Sequence, residues 1–361
     1  MKIAFIKTVG LSSGGGERYL QTMASLLVKA GHKVDYFYTN NAPCLGTDWR
    51  HPPHDEARRI YIESMGVNAI PVHVDTIGEL DWIGTDLFEK FSEKNYDVVG
   101  TARGGYPEYP FTKLDTVKIV DSIHGVKVHN KPNIKKSILL CKWQADLWIK
   151  NGGDVSKLEI VPSLVYVPEK TADNYRKELG IPDDAFVYGY HQRNENGLFS
   201  PIPLRAFQCL QTEQKNIHFV IMGGGETHRN YADHHGLKNV HFIDHTSDTV
   251  KIHKFLQTLN CYSHSKSSGE VCSVCIIEAM YHGLPIISHP GNDMGHLEMI
   301  DGCGKMTYNL DEYVTEMRLL KNSKPYWQYK NGCTLQKYEQ TYNYSKLESR
   351  IQEIYKSVEN I

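Results

Sequence analysis

Between residues 267 and 280 the chain reads Ser-Ser-Gly-Glu-Val-Cys-Ser-Val-Cys-Ile-Ile-Glu-Ala-Met, which sets two carboxylates, Glu270 and Glu278, at the two ends of a short apolar run. The small polar residues ahead of Glu270 end a strand, and the run behind it predicts a helix near 272–282. Eight residues of helix rise about 12 Å, close to the span from the sugar to the ribose of a nucleotide sugar. The amides of Val271, Cys272, Ser273 and Val274 would lie at the helix N-terminus, where unpaired N–H groups and the positive end of the dipole favour a diphosphate. One element would then hold sugar, diphosphate and ribose together. Two ordinary surface glutamates have the same spacing, and spacing alone leaves that plainer reading standing.

Such a helix needs a sheet behind it. Residues 2–6 are an apolar run, followed by glycines between Gly10 and Gly16 and by Leu20, Met23, Ala24, Leu27 and Val28 at helical spacing. Gly31 closes that helix as a C-cap, and Lys33–Tyr38 reads as a second strand. Strand, glycine loop, helix, strand is the opening of a parallel α/β sheet. Residues 43–95 are less regular, with Pro43, Pro52, Pro53 and Pro71. Segments 97–100, 118–120 and 137–140 continue the sheet. A second α/β pattern begins at Phe186–Tyr190. Its further strands are predicted at 218–222, 240–243, 261–263 and 285–288, and its helices at 202–210 and 248–259. Ser345 and Glu348 read as a capping box for a last helix. The expected organisation is an N-terminal domain over 1–165, a C-terminal domain over 166–344 and a terminal helix over 345–361.

Composition narrows the class. The 361 residues carry 40 Lys and Arg against 42 Asp and Glu, a net charge of −2, which argues against a dedicated nucleic-acid binder. The length suits two domains. Lys7 interrupts the first apolar run too early for a signal peptide, and no stretch approaches the roughly 18 apolar residues of a spanning helix. A cytoplasmic protein is expected. Eight scattered cysteines are read as free thiols. Cys272 and Cys275 are read as small residues packed beneath the helix start rather than a redox pair. Neither Gly14-x-Gly16 nor Gly223-x-Gly225 completes Gly-x-Gly-x-x-Gly, so a dinucleotide site is not supported. No Gly-x-Ser-x-Gly elbow occurs.

Glu270-x7-Glu278 followed by Ala279-Met280-Tyr281-His282-Gly283-Leu284-Pro285 resembles the signature of retaining glycosyltransferases of family 4. Gly14-Gly15-Gly16-Glu17-Arg18 is similar to that family's first glycine loop, His124-Gly125 to its histidine turn, and Phe219–Glu226 to its second glycine turn. The resemblance runs through nearly the whole chain in order. It implies the GT-B fold: two facing Rossmann-like α/β domains with parallel sheets and a cleft between them. It implies transfer of a hexose-type sugar, with retention and without a metal, from a UDP- or GDP-type donor to a hydroxyl of a glycan, glycolipid or similar acceptor. Carried over residue by residue, Glu270 meets donor-sugar hydroxyls, Glu278 the ribose, His124 the sugar near the reacting centre, and Arg193 the diphosphate. Gly15, Gly16, Gly224, Val271, Cys272 and Ser273 line the nucleotide site.

One departure stands out. Such enzymes have a lysine five or six residues beyond the arginine, where this chain has Leu198 and Phe199. Lys266 is a candidate to replace it. A catalytically weak or inactive nucleotide-sugar-binding protein is the alternative reading, with a nucleotide-sugar epimerase as a third. No metal site is expected. No two aspartates are separated by one residue, and His51, His54, His234 and His235 sit in loop-like sequence. Lys127, Lys131, Lys135, Lys136, Lys142 and Lys150, with Trp143 and Trp148, form a basic stretch that can dock peripherally on an anionic membrane or be simply a solvated face. The segment 100–110, with Arg103-Gly104-Gly105-Tyr106, is where acceptor contacts are expected.

Overall fold

The structure, a computed structural model, describes all residues except 8–9, 13, 40–42, 44–54, 79–80 and 360–361. His51, His54 and Cys44 therefore lie outside the described residues. The chain divides into two units, Met1–Leu164 with Tyr344–Ile361, and Val165–Asn343.

In the first unit β1 (Lys2–Lys7) leads to α1 (Gly15–Lys29), β2 (Lys33–Thr39), α2 (Glu56–Ser64) and β3 (Asn68–Val72). A short antiparallel pair, β4 (Thr76–Ile77) and β5 (Trp82–Ile83), and α3 (Leu87–Lys90) precede β6 (Val98–Arg103). Then come β7 (Lys118–Ile123), β8 (Ile134–Leu139), α4 (Lys142–Lys150) and β9 (Leu158–Ile160). The main sheet is seven-stranded in the order β3-β2-β1-β6-β7-β8-β9, and every pairing in it is parallel. Its central strands β1, β6 and β7 are buried along nearly their whole length, as in a parallel sheet covered on both faces. The described part of the region expected to be irregular, 55–78 and 81–95, carries α2, β3, the β4–β5 pair and α3. Pro71 sits in β3 at the sheet edge, where the missing N–H costs no ladder bond. Gly31, at φ +89°, is the left-handed residue just past α1, and the His32 amide bonds back to the Leu27 carbonyl at 3.0 Å in a Schellman closure.

The second unit repeats the plan. It contains β10 (Phe186–Gln192), α5 (Ile202–Gln211), β11 (Ile217–Gly223), α6 (Glu226–His234), β12 (Val240–Ile243), α7 (Thr249–Leu256) and β13 (Cys261–Ser263). These are followed by β14 (Gly269–Glu270), α8 (Val274–Tyr281), β15 (Ile286–Ser288), β16 (Asp293–Met294), α9 (Gly295–Ile300), β17 (Lys305–Met306), α10 (Leu310–Asn322) and α11 (Lys324–Lys337). The six-stranded sheet has the order β12-β11-β10-β13-β15-β17, with β14 and β16 forming a separate parallel pair. One continuous core of Tyr188, Phe207, Phe219, Phe255, Ile276, Ile287 and Tyr313 packs on it. The sequence reading passed over α10, whose start carries a signal: Asn309 Oδ1 accepts the Glu312 amide at 2.9 Å, and a Glu312 oxygen accepts the Tyr308 amide at 2.9 Å.

The chain ends in α12 (Tyr344–Glu359), which belongs to the first unit. The helix begins at Tyr344, one residue before the Ser345 expected at its start. Leu347, Ile351, Ile354, Tyr355 and Val358 form its buried face. Lys118 Nζ reaches the terminal carbonyls of Val358 and Glu359 at 3.0 and 3.1 Å, the favourable end of the dipole for a cation. The Tyr355 ring lies 6.2 Å from that of Phe5. Gly100 of β6 leaves the space for both, since a Cβ there would run into the Phe5 ring and the Tyr355 hydroxyl. Gly100→Ala is therefore expected to destabilise the first unit by about 1–3 kcal/mol and to loosen α12. Denaturant unfolding and amide exchange across 344–359 measure both effects.

Candidate functional site

Parallel sheets present all their strand C-termini along one edge, and a crevice opens there where the strand order reverses. In the second unit that reversal falls between β10 and β13. The expected site residues Arg193, Glu270 and the start of α8 follow these two strands, and Gly224 follows the neighbouring β11. In the first unit the reversal falls between β1 and β6. Gly15 and Gly16 follow β1, and His124 follows β7. The predicted residues thus form two groups, one in each unit.

In the second unit the group is built on the segment from β13 into α8. Gly269, at φ +73°, turns the chain into β14, and a Cβ there would collide with the Asp293 carbonyl of the paired strand. This turn presents Glu270. Its carboxylate meets Lys266 Nζ at 2.8 Å and lies 3.9 Å from His264 Nε2. The His264 ring is held from behind by Ser288 Oγ at 2.7 Å from Nδ1. Burial pushes the Glu270 carboxyl up, but His264 and Lys266 outweigh it and hold its pKa at about 2. Burial keeps His264 itself neutral at pH 7, with a pKa of about 4, and its ring faces Glu270 beyond direct hydrogen-bond distance.

Ser273 caps α8, its hydroxyl accepting the Ile276 amide at 3.4 Å and donating to Glu270 at 3.5 Å. The helix begins at Val274, so Val271 and Cys272 lie in the bend ahead of it. The Ser273 amide is directed to Met299 Sδ at 3.2 Å. The first-turn amides of Val274 and Cys275 lie at the helix start, where an α-helix offers no intrahelical acceptor. Cys272 and Cys275 pack against the core edge, and all seven described cysteines are free thiols.

Glu278 lies one helix length beyond Glu270 but inside the unit, only 1% exposed. His191 of β10 meets it, Nε2 to Oε2, at 2.8 Å. Burial opposes protonation of that imidazole, yet the adjoining Cys275 and Glu278 raise its pKa to about 10. His191 was not singled out from the sequence. Its partner is 87 residues away, and no local pattern marks it. A nitrogen of His191, Cys275 Sγ and a Glu278 oxygen all lie within 4.8 Å of one another, a donor set that could hold a metal ion.

Arg193 stands just past β10, largely exposed, with Nη1 2.9 Å from Glu195. The place where a lysine is expected is apolar for a packing reason. The Phe199 ring lies edge-on to His228 at 4.7 Å and against Tyr231 at 5.4 Å. The loop before it is latched to α6 by Asn196 Oδ1, which accepts the Thr227 amide at 3.1 Å. Gly224 has φ +73° and sits under the His228 ring.

In the first unit, Gly15 and Gly16 open α1. His124 packs over Gly16 and edge-on to Tyr19, 5.0 Å between centroids. Its Nε2 is out of solvent and has no hydrogen-bond partner among the described residues. Burial and the Lys7 cation lower its pKa to about 4, against the opposing pull of Glu17. His124 is therefore a neutral group at pH 7. Lys7 Nζ bridges the Ala102 carbonyl at 2.8 Å and Glu17 at 3.3 Å.

Arg103, expected to contact an acceptor, turns inward instead. It pairs with Asp121 through Nε at 2.8 Å and Nη2 at 2.6 Å, both side chains being buried. The basic stretch is partly neutralised: Lys131 pairs with Asp115, Lys136 with Glu159 and Lys142 with Asp146, while Trp148 is core. No described helix is long and apolar enough to cross a membrane.

The comparisons with known proteins agree on the architecture. Over its full length the chain is similar to the solved structure of HepE from Anabaena in complex with UDP and glucose, at 15% identity and TM-score 0.72, covering 99% of this chain and 100% of that one. A glycosyltransferase from Rickettsia africae matches at 14% identity and TM-score 0.72, covering 99% and 98%. Sucrose-phosphate synthase from Thermosynechococcus elongatus matches at 15% and 0.69, covering 99% of both chains. The protein has the GT-B fold, with two Rossmann-like α/β units. Residues 171–301, which hold the whole Glu270–Glu278 element, match the family model described as glycosyl transferases group 1. No curated protein sequence matches the chain.

The depressed Glu270 carboxyl gives a sign for acid stability. A carboxyl whose pKa is lowered by folding stabilises the protein fully above its unfolded value near 4.5, and that contribution is lost as the pH falls through about 2. Wild type is expected to exceed Glu270→Gln by roughly 2–3 kcal/mol at pH 6, the difference closing toward pH 2. Urea unfolding as a function of pH measures it.

Proposed function

We propose that the protein transfers a sugar from a nucleoside diphosphate sugar to a hydroxyl acceptor, with the donor held by the second unit. The observation that carries this reading is the Glu270–α8–Glu278 arrangement inside the segment that matches the group 1 model. An ionised carboxylate, Glu270, stands before the helix, ready to accept hydrogen bonds from sugar hydroxyls. The first-turn amides of Val274 and Cys275 and the helix dipole suit a diphosphate. Glu278 is assigned to the ribose on the family resemblance. Lys266, which meets Glu270, and Arg193, just past β10, are the cations assigned to the diphosphate. They would stabilise the charge that grows on a departing nucleoside diphosphate.

A UDP-type donor is supported by the HepE structure, which holds UDP and glucose on the same fold. A hexose donor, retention of configuration, independence from metal, and a glycan or lipid-linked acceptor follow from the family resemblance and belong to the same proposal. The neutral His124 is assigned to the transfer step, as a hydrogen-bonding group rather than a cation. The apolar Leu198 and Phe199 favour a second reading, a protein that binds nucleotide sugars with little or no turnover.

A thermal-shift screen of UDP, GDP and dTDP with their sugars, followed by donor turnover, separates the two readings. Under the first, Glu278→Ala lowers nucleotide affinity by about tenfold or more, the size of one lost charge-assisted hydrogen bond. His124→Ala slows turnover while nucleotide affinity stays within about twofold. Unchanged affinity in the Glu278 variant removes the ribose assignment. Tight binding without turnover by the wild type establishes the second reading.

A further inference from the structure

Glu270 projects from a very short strand. β14 has two residues, Gly269 and Glu270, and pairs in parallel with the two-residue β16, Glu270 opposite Met294. The Asp293 amide donates to the Ser268 carbonyl at 2.9 Å, and the Gly269 amide to the Lys266 carbonyl at 3.1 Å. A two-stranded ladder of this size is marginal by itself. Lys266 and Ser273 meet the carboxylate of Glu270, and its main chain needs a separate anchor.

His296 of α9 supplies one. It is fully buried. Its Nε2 lies 3.0 Å from the His289 carbonyl oxygen. A carbonyl oxygen only accepts, so Nε2 carries the hydrogen. The Glu270 amide is directed to Nδ1 at 3.2 Å, and a ring nitrogen that receives an N–H carries no hydrogen of its own. The Glu270 carbonyl stands farther from the same nitrogen, at 3.4 Å. One imidazole therefore clamps the main chain of Glu270 to the segment that follows β15. The same ring packs beside His264, 5.4 Å between centroids, and His264 faces the Glu270 carboxylate from the other side of the contact. A group that recognises a ligand by hydrogen bonds must be held within about 0.5 Å of its productive position.

We propose that His296 is a positioning residue for donor-sugar recognition: its Nδ1 holds the Glu270 backbone where the carboxylate meets sugar hydroxyls. The inference rests on the reading of Glu270 as the donor-sugar contact. Loss of the clamp weakens the sugar's share of binding and spares that of the nucleoside diphosphate. A role in packing alone lowers both together. The choice of side chain separates the two roles further. Asn places its oxygen near the position of Nδ1 and still accepts the Glu270 amide, whereas Gln reaches toward the position of Nε2 and leaves that amide unpaired.

The test is calorimetric titration of the full chain with UDP and UDP-glucose, and with GDP and GDP-mannose. The readout is the affinity for the nucleotide sugar divided by that for its nucleoside diphosphate, taken for the pair that binds more tightly. Glu270→Gln is expected to lower this quotient by about fivefold or more, the size of one weakened hydrogen bond to a charged group. His296→Gln is expected to lower it to a similar extent, with nucleoside diphosphate affinity within about twofold of wild type. His296→Asn is expected to keep most of the quotient. Combining Glu270→Gln with His296→Gln is expected to lower it no further, because both changes remove the same contact.

A His296→Gln quotient within twofold of wild type, alongside a fallen Glu270→Gln quotient, overturns the proposal alone. Equal quotients in His296→Asn and His296→Gln, or an equal loss of both affinities, make His296 a packing residue and overturn it too. A quotient unchanged in Glu270→Gln, or a wild type that binds neither nucleotide sugar, overturns the reading of Glu270 on which the proposal rests.

Discussion

The second unit's site depends on a buried charge that must be neutralised. Glu278 sits inside the protein, where an isolated carboxylate is unfavourable by several kcal/mol. His191 meets it there at 2.8 Å. That contact requires β10 and α8 to lie side by side, which in turn requires the strand order to reverse between β10 and β13. The other site residues of this unit, Arg193, Lys266, Glu270 and the first turn of α8, follow the ends of the same two strands.

The same economy of charge appears at Glu270 and in the first unit. Glu270 is met by one cation, Lys266, and faced by the neutral His264 ring, which Ser288 orients. His124 is kept neutral by burial beside Lys7, whose charge is spent on Glu17 and a carbonyl. Of the three histidines, only His191 is held as a cation. Sequence composition, with 18 histidines and a net charge of −2, conceals this division. The sign of each group is set by its neighbours and by its distance from water.

Much of the fold was legible along the chain. Strands 240–243 and 261–263 read the same in sequence and structure, and so, within a residue, does the helix over 202–211. Their apolar runs are short, dense and bounded by turn residues, so local physics decides them. The reading failed where context overrides local preference. Pro71 in β3 suggested irregular chain, because a proline is acceptable only at a sheet edge, and edges are not visible in sequence. By contrast, Ser345 and Glu348 mark the start of α12 to within a residue. The helix start at Asn309 was legible and was passed over.

The sequence by itself determined two parallel α/β units, the glycine turns after their strands, and the Glu270–Glu278 element with its expected chemistry. These are written in periodicity and in residues close together along the chain. Tertiary structure decided which side chains complete the element. It turned Arg103 inward onto Asp121, filled the place of a lysine with the Phe199 ring against His228, and brought His191 onto Glu278 from 87 residues away. Partnerships of that kind are fixed by strand order and side-chain packing. A linear pattern of residue types does not encode them.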